Sequence, residues 1–302
     1  MSTIIRLETI SQAHEALSLD KPRHPLVSVV PIDERILNFD YGNATYVFGF
    51  YQVSMKSDIP GAMRYGRNSY DFQEGSMVFT KPGQAMSFTM ESNPSSGSGW
   101  TLMFHPDLIR RLELGRSIER YSYFSFDVHE ALHLSHDERE ALTEITSKIK
   151  REYSQNIDRH SQKLIVANIE LLLDYCTRYY DRQFYTRSNL NQDFVSKFEQ
   201  VLSDYFQSDK PLELGLPTVT YCGEAMRMSP AYLSDLLKKE TGRSARQHIQ
   251  DALVDRAKTM LLGGEDQVSQ IAYTLGFEYP QHFSKLFKAK TGMSPVSYRK
   301  AN

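Results

Sequence analysis

The chain has 302 residues, a formal net charge of −2, and 40% hydrophobic, 24% charged and 12% aromatic residues. That length accommodates two domains of ordinary size, and the composition excludes extended disorder. No apolar run approaches the roughly 18 residues of a membrane helix, and acidic and polar residues interrupt the N-terminal stretch where a signal peptide has its apolar core, so a cytoplasmic protein without a membrane partner is expected. The two cysteines, Cys176 and Cys222, stand far apart in helical patterns and read as small buried residues rather than a disulfide.

From Val27 to Phe104 the chain is a series of short β-prone pieces such as TYVFGFYQV, GSMVFT and SFTM, punctuated by Pro60-Gly61, Pro82-Gly83 and the stretch Ser92–Gly99. Short strands between turn residues predict a sandwich or barrel. Ser135-His136-Asp137-Glu138 has the layout of a capping box with Ser135 at the N-cap, which starts a helix. Leu142, Ile145, Ile149 and Tyr153 form one stripe at spacings of three and four, and Ile165, Ile169, Leu172, Leu173 and Cys176 form a second. Two amphipathic helices therefore follow, each needing the β-domain, the other helix or a second subunit to cover its stripe. Asp181–Asn191 is polar and aperiodic and marks a boundary. Beyond it Phe194, Phe198, Val201, Leu202 and Tyr205 open a region that is helical in pattern to its end. The expected fold class is α+β, with β first and α second.

Ser229–Ile249 and Tyr279–Arg299 repeat Pro, Ser, Leu, Lys, Thr, Gly and Ser at one offset of 50 residues. Self-similarity at a fixed spacing marks a duplicated unit, and two equivalent units suit a periodic ligand such as DNA. In the second copy Val268–Leu275 reads as a helix, Gly276-Phe277-Glu278 as a turn, and Pro280–Lys290 as a helix closed by Gly292. In the first, Ser229 is the N-cap, Pro230 the first helical residue and Gly242 the stop. Leu233, Leu236 and Leu237 face inward in one copy, and Phe283, Leu286 and Phe287 in the other. Ala231, Tyr232, Ser234, Asp235 and Lys238 then face outward on the first unit, and Gln281, His282, Ser284, Lys285 and Lys288 on the second. This is the layout of a helix-turn-helix, whose second helix enters the major groove.

The chemistry of those positions suits base reading. Gln281 can pair with adenine, Lys285 can donate to guanine, and Asp235 can accept from cytosine. Lys238 and Lys288, a turn further along, suit phosphates. Between the copies, Arg246–Leu262 is a helix roughly 25 Å long, enough to hold the units near the ~34 Å spacing of successive major-groove faces. Residues 195–302 hold 14 Lys+Arg against 12 Asp+Glu, and residues 281–302 hold five cations and no acid. Such local charge serves a solvated face or a DNA-facing one.

Residues from about 195 to 300, above all IAYTLGFEYPQHFSKLFKAKTGMSPVSYR at Ile271–Arg299, closely resemble the AraC/XylS family of bacterial transcription regulators. The resemblance implies an all-α domain of seven helices, with two helix-turn-helix units on a linker helix. It implies binding to double-stranded promoter DNA, usually to activate transcription, with RNA polymerase as a further partner. Ala231, Ser234, Asp235, Gln281, His282 and Lys285 are its base-reading candidates, and Tyr232, Lys238, Ser284, Lys288 and Arg299 are assigned to the DNA backbone. The first unit departs from the pattern at Gly223, where Ala is favoured, and in a turn one residue shorter. The N-terminal half resembles, more loosely, cupin-like sensor barrels, through Tyr70-Asp71-Phe72-Gln73-Glu74-Gly75 and Pro82-Gly83. That likeness implies a small-molecule effector pocket and helices that form a homodimer. The expected organisation is a cupin-like regulatory domain over 1–134, dimerisation helices over 135–185, a linker over 186–194 and the DNA-binding domain over 195–302.

Two other readings compete. A cupin-type metal enzyme needs convergent histidines and carboxylates, yet Val27–Phe104 contains no histidine. His105, His129, His133 and His136 come after it, at spacings that suit a metal site or a helix-entry loop. No nucleophilic triad and no glycine-rich phosphate loop stands out, so no catalysis, metal or cofactor is expected. An architectural DNA-binding protein that senses nothing is the other, but the N-terminal half is larger than a dimerisation arm requires. Its aromatic residues Tyr46, Phe48, Phe50, Tyr65, Tyr70 and Phe72 serve mostly as core or line a ligand cavity.

Overall fold

The computed structural model describes residues 3–37, 39, 44–57, 63–65, 68–70, 75–90, 97–127, 130–155, 158–187 and 192–301. The chain divides into two units, residues 1–185 and 186–302. The first is built on two five-stranded sheets and the second is helical among its described residues, an α+β arrangement.

In the first unit one sheet has the order β1 (Ile4–Leu7), β3 (Thr45–Phe48), β8 (Ala85–Met90), β5 (Met63–Tyr65), β6 (Asn68–Tyr70). The other runs β10 (Leu132–His133), β7 (Ser76–Thr80), β4 (Tyr51–Ser57), β9 (Ser98–Phe104), β2 (Val27–Pro31). β1 pairs with β3 in parallel, and the remaining pairings are antiparallel. Short helices α1 (Ile10–Ala16), α2 (Glu34–Leu37), α3 (Pro106–Ile109) and α4 (Glu113–Ser117) fill the connections. β1, α1 and β10 lie outside the span in which the sequence showed β patterning. α1 is nonetheless closed by a capping box, Thr9 with Gln12.

Alternation along β4 decides which side of the second sheet meets which partner. Val53 and Met55 stand beside their cross-strand neighbours Phe79, Leu102, Met77 and Trp100, all buried. That apolar face is covered by α5 (His136–Ser154) and α6 (Ser161–Arg187). The Trp100 indole donates to Thr143 Oγ1 at 3.1 Å, and the Phe79 ring packs on Tyr180. Both helices use the stripes expected of them: Leu142, Ile145, Ile149 and Tyr153 are buried on α5, and Ile165, Ile169, Leu172, Leu173 and Cys176 on α6. Ser135 and Glu138 form the expected capping box.

The opposite face of β4 carries Gln52, Ser54 and Lys56 toward the other sheet, among Tyr46, Phe48 and Met86. Tyr46, Phe48 and Phe50 are buried core residues. The side chains of Tyr65 and Tyr70, with residues 71–74 and hence Phe72, lie outside the described residues.

α6 is tied to the edge strand by one buried amide. Gln183 accepts from His133 N at 2.8 Å and donates to Ala131 O at 3.0 Å. Both bonds go to the backbone at or just before β10.

The second unit comprises α7 (Gln192–Gln207), α8 (Lys210–Leu214), α9 (Val219–Met226), α10 (Pro230–Thr241), α11 (Ala245–Gly263), α12 (Val268–Thr274), α13 (Pro280–Thr291) and α14 (Pro295–Ala301). α11 buries Ala245, Ile249, Leu253, Val254, Ala257 and Leu261 and packs against α10, α12, α13 and α14. No described helix is long and apolar enough to cross a membrane.

Replacing Gln183 by Ala should lower the unfolding free energy by about 1–3 kcal/mol, because a buried amide and its two hydrogen bonds to the backbone are removed. Urea unfolding of wild type and variant measures it.

Candidate nucleic-acid interface

Two helix pairs, α9–α10 and α12–α13, repeat one another down to single hydrogen bonds. In the first pair Met228 N donates to Gly223 O at 2.8 Å, and in the second Phe277 N donates to Ala272 O at 3.0 Å. Each turn passes through a left-handed residue, Arg227 (φ 57°) in one and Gly276 (φ 92°) in the other. The second helices end alike, in Gly242 (φ 75°) and Gly292 (φ 79°), whose N–H groups donate to Lys238 O and Lys288 O at 2.9 Å each. Thr241 and Thr291 each return their hydroxyl to a carbonyl one turn back, Leu237 O and Phe287 O, at 2.8 Å. The repeated Lys, Thr and Gly of the sequence are therefore the chemistry of one helix stop used twice.

The two copies reach the same backbone with different residues. From N-cap Thr218 to Pro230 the first unit has one residue fewer than the second has from Gln267 to Pro280. Gly223 takes the place of Ala272. A Cβ on Gly223 would lie 2.6 Å from Met228 O, so the shorter turn presses on the helix where a methyl would stand. Gly276 is required twice over, by its left-handed φ and by the Gly215 backbone, which a Cβ would meet at 2.5 Å. Arg227 adopts the same region without that freedom, at a cost of about 1–2 kcal/mol. Ser229 caps α10 by accepting from Tyr232 N at 3.1 Å, whereas Tyr279 gives α13 no side-chain cap.

Leu233, Leu236 and Leu237 are buried on α10, as are Phe283 and Phe287 on α13, with Leu286 only partly covered. Gln281, His282, Lys285 and Lys288 are exposed on α13 and Ser284 half-exposed. Among the described residues no side-chain hydrogen bond or ion pair engages the side chains of Gln281, Lys285 or Lys288. On α10, Lys238 is exposed while Ala231, Ser234 and Asp235 are half-buried. The exposed Tyr279 ring lies beside His282, with centroids 5.5 Å apart, and extends the polar surface of the second unit.

Two expected positions are corrected. Tyr232 does not face outward: it is 4% exposed, because the apolar stripe of α10 is wide enough to take in the residue beside Leu233. Arg299 is spent on the protein itself, its Nε donating to Leu261 O at 3.0 Å and Nη2 to Asp266 O at 2.7 Å. It satisfies one carbonyl in the last turn of α11, where a cation is favoured, and one in the loop that follows.

One carboxylate joins the two pairs. Asp251 on α11 accepts from Arg243 Nη1 at 3.0 Å, just after α10, and from Lys290 Nζ at 2.8 Å, in the last turn of α13. Partial burial works against its charge, but the Lys290 hydrogen bond and the Lys290 and Arg243 charges outweigh it and hold the carboxyl below its ordinary pKa. The partners stand 8 and 39 residues away, so no local pattern announces them.

Of the four histidines from the end of β9 to the start of α5, two are engaged within the fold. His105 caps α3 by accepting from Asp107 N, His133 belongs to β10 with Nδ1 3.4 Å from Ser76 Oγ, and His129 lies outside the described residues. Among the described residues the groups able to approach one cation are His136, Asp137 and Glu140, all exposed on the first turns of α5.

Comparisons with known proteins agree with this geometry. A family model described as a helix-turn-helix domain matches residues 222–301. The chain is 28% identical over 143 residues to the HTH-type transcriptional regulator YijO of Escherichia coli (strain K12), covering 47% of each chain. It is 36% identical over 67 residues to the HTH-type transcriptional activator RhaR of Yersinia pseudotuberculosis, or 22% of this chain and 23% of that one. It thus spans less than half the length of the curated relatives it matches. Among solved structures, the C-terminal domain of AraT, a response regulator from Geobacillus stearothermophilus, is 28% identical over 36% of this chain and 84% of that one, with a TM-score of 0.32.

Gly223→Ala should destabilise the second unit by about 1–3 kcal/mol despite alanine's better helix propensity, since crowding against Met228 O outweighs the gain. Thermal unfolding tests it, and a rise in Tm would contradict it. Asp251→Asn should loosen the tie to Arg243 and Lys290. Because the folded-state pKa is depressed, the contribution is complete at neutral pH and is lost as pH falls through the folded pKa. The Tm difference between wild type and variant should therefore shrink in acid, as a pH series of melts can show.

Proposed function

We propose, from the premise that the C-terminal region carries an AraC-type helix-turn-helix domain, that the protein is a sequence-specific DNA-binding transcription regulator. The observation that carries this reading is the pair of matching units whose second helix, in α13, presents Gln281, His282 and Lys285 on an exposed face with Lys288 one turn beyond. Gln281 and Lys285 have the donors and acceptors that base edges require. Ala231, Ser234 and Asp235 are the corresponding candidates on α10. Lys238, Ser284 and Lys288 suit the phosphates, which position without reading. Tyr232 and Arg299 leave the DNA-contacting set because their side chains serve the fold.

α11 acts as the linker helix in this reading. Its 19 residues span about 28 Å, which supports placement of the two units on successive turns of promoter DNA. The first 134 residues act as a cupin-like sensor, supported by the two facing sheets and the cavity between them. The helices over 135–185 make a homodimer. Leu164 and Leu171, two turns apart on α6 and 48% and 44% exposed, favour that role. An activator working with RNA polymerase in the cytoplasm completes the proposal.

Selection of bound sequences from a random duplex library, followed by titration of the selected site, tests it. Gln281→Ala and Lys285→Ala should each weaken the selected site by about 1–3 kcal/mol and relax preference at one base pair. Lys288→Ala should instead weaken selected and random duplexes alike, and lower the salt slope by about 1. Equal losses on both duplexes for Gln281→Ala would refute base reading, and no selected sequence at all would refute the function.

A further inference from the structure

The two helix pairs place different chemistry at the start of their second helix. In the first pair the N-cap of α10 is Ser229, a buried residue whose Oγ accepts from Tyr232 N at 3.1 Å. The same position in the second pair holds Tyr279, whose side chain makes no capping bond. Giving up a serine cap costs a helix about 1 kcal/mol. Packing does not offset that loss, because Tyr279 is 47% exposed and, among the described residues, no hydrogen bond engages its hydroxyl. Neither capping nor the core therefore accounts for a large ring at this position.

The ring is nonetheless held in place. Pro280 follows it, and the residue before a proline is confined to extended backbone; Tyr279 has φ −127° and ψ 118°. Its ring meets the exposed His282 imidazole, one turn into α13, with centroids 5.5 Å apart and planes at 67°. A tyrosine has only two side-chain torsions to fix, so a ring braced in this way gives up little freedom when it meets a partner.

The pair stands at the N-terminal end of α13, next in sequence to Gln281, and the N-terminal residues of a recognition helix are those that meet base edges. Gln281 and Lys285 carry hydrogen-bonding groups at their tips, whereas the Tyr279 ring offers an apolar face. In the major groove the apolar feature of a base pair is the 5-methyl group of thymine, which apolar side-chain atoms contact.

We infer that Tyr279, braced by His282, contacts the 5-methyl group of one thymine in the segment that α13 reads. This rests on α13 being a recognition helix, and it adds to that reading a residue and the base it prefers. A tyrosine whose hydroxyl met a phosphate would fix position without preferring any base, so the two roles separate in experiment.

The test uses the full-length protein and the duplex it selects from a random library. Each thymine of that duplex is replaced singly by deoxyuridine, which removes the methyl group and leaves the hydrogen-bonding edge intact. One replacement should weaken wild-type binding about fourfold, the equivalent of one methyl group returned to water. Tyr279→Ser installs the capping residue of the first pair and should fold with an unchanged or higher Tm. It should bind the thymine duplex at least about fourfold more weakly than wild type does, and no longer distinguish thymine from deoxyuridine at that position. Tyr279→Phe keeps the ring and should keep the preference. The inference is overturned if no deoxyuridine replacement weakens wild-type binding, if Tyr279→Ser retains every thymine preference of the wild type, or if Tyr279→Phe loses the preference. Selective binding that ignores the methyl groups defeats this contact alone, and failure to select any sequence defeats the regulator reading with it.

Discussion

The first unit depends on a single constraint, that strand β4 is covered on both faces. An isolated sheet with Val53 and Met55 on one side and Gln52, Ser54 and Lys56 on the other would turn the polar row to water. Here the apolar side is claimed by α5 and α6, through contacts such as Trp100 with Thr143 and Phe79 with Tyr180, and the polar row is left facing the second sheet. The helices thus do more than hide apolar surface. By occupying the outside they fix which residues line the inside, and a cavity with a cation in it is the result. Gln183, bridging α6 to β10, keeps that outer layer in register with the sheet.

The second unit shows how one backbone can be made from two sequences. Where the chain must turn left-handed, one copy uses Gly276 and the other Arg227. Where two segments approach most closely, one copy has room for the methyl of Ala272 and the other, one residue shorter in its turn, needs Gly223. The helix stops, by contrast, are the same in residue and bond. The two units therefore agree at the ends of their second helices and differ in the turns, where each reaches the same backbone by a different compensation.

Much of this was legible in the sequence wherever the signal is local. The Ser135 capping box, the stripes of α5 and α6, the offset of 50 residues and the glycine stops are patterns of a few neighbouring residues, and they stand where expected. Short edge elements were not legible: β1 has four residues, too few for an alternation to register. Tyr232 was misplaced because a tyrosine hydroxyl looks polar in a sequence, while its ring joins Leu233, Leu236 and Leu237 in one wide stripe. The direction of Lys56 could not be read either, since alternation separates two faces without saying which one meets water. Long-range electrostatics were hidden altogether, as in the pairing of Asp251 with Arg243 and Lys290.

That last contact bears on how two units of this kind would share a long site, should both bind it as proposed. Two binding modules on a slack tether gain from each other only as much as the tether lets their effective concentration rise, whereas modules held at a set separation meet a matching site almost as one body. Asp251 ties the exits of both second helices to the helix between them, which reduces the orientational freedom that a second contact would have to give up once a first is made. If both units read DNA as proposed, such a coupling would make the protein a fixed gauge, more tolerant of a poor base within one half of the site than of a change in the number of base pairs between the halves.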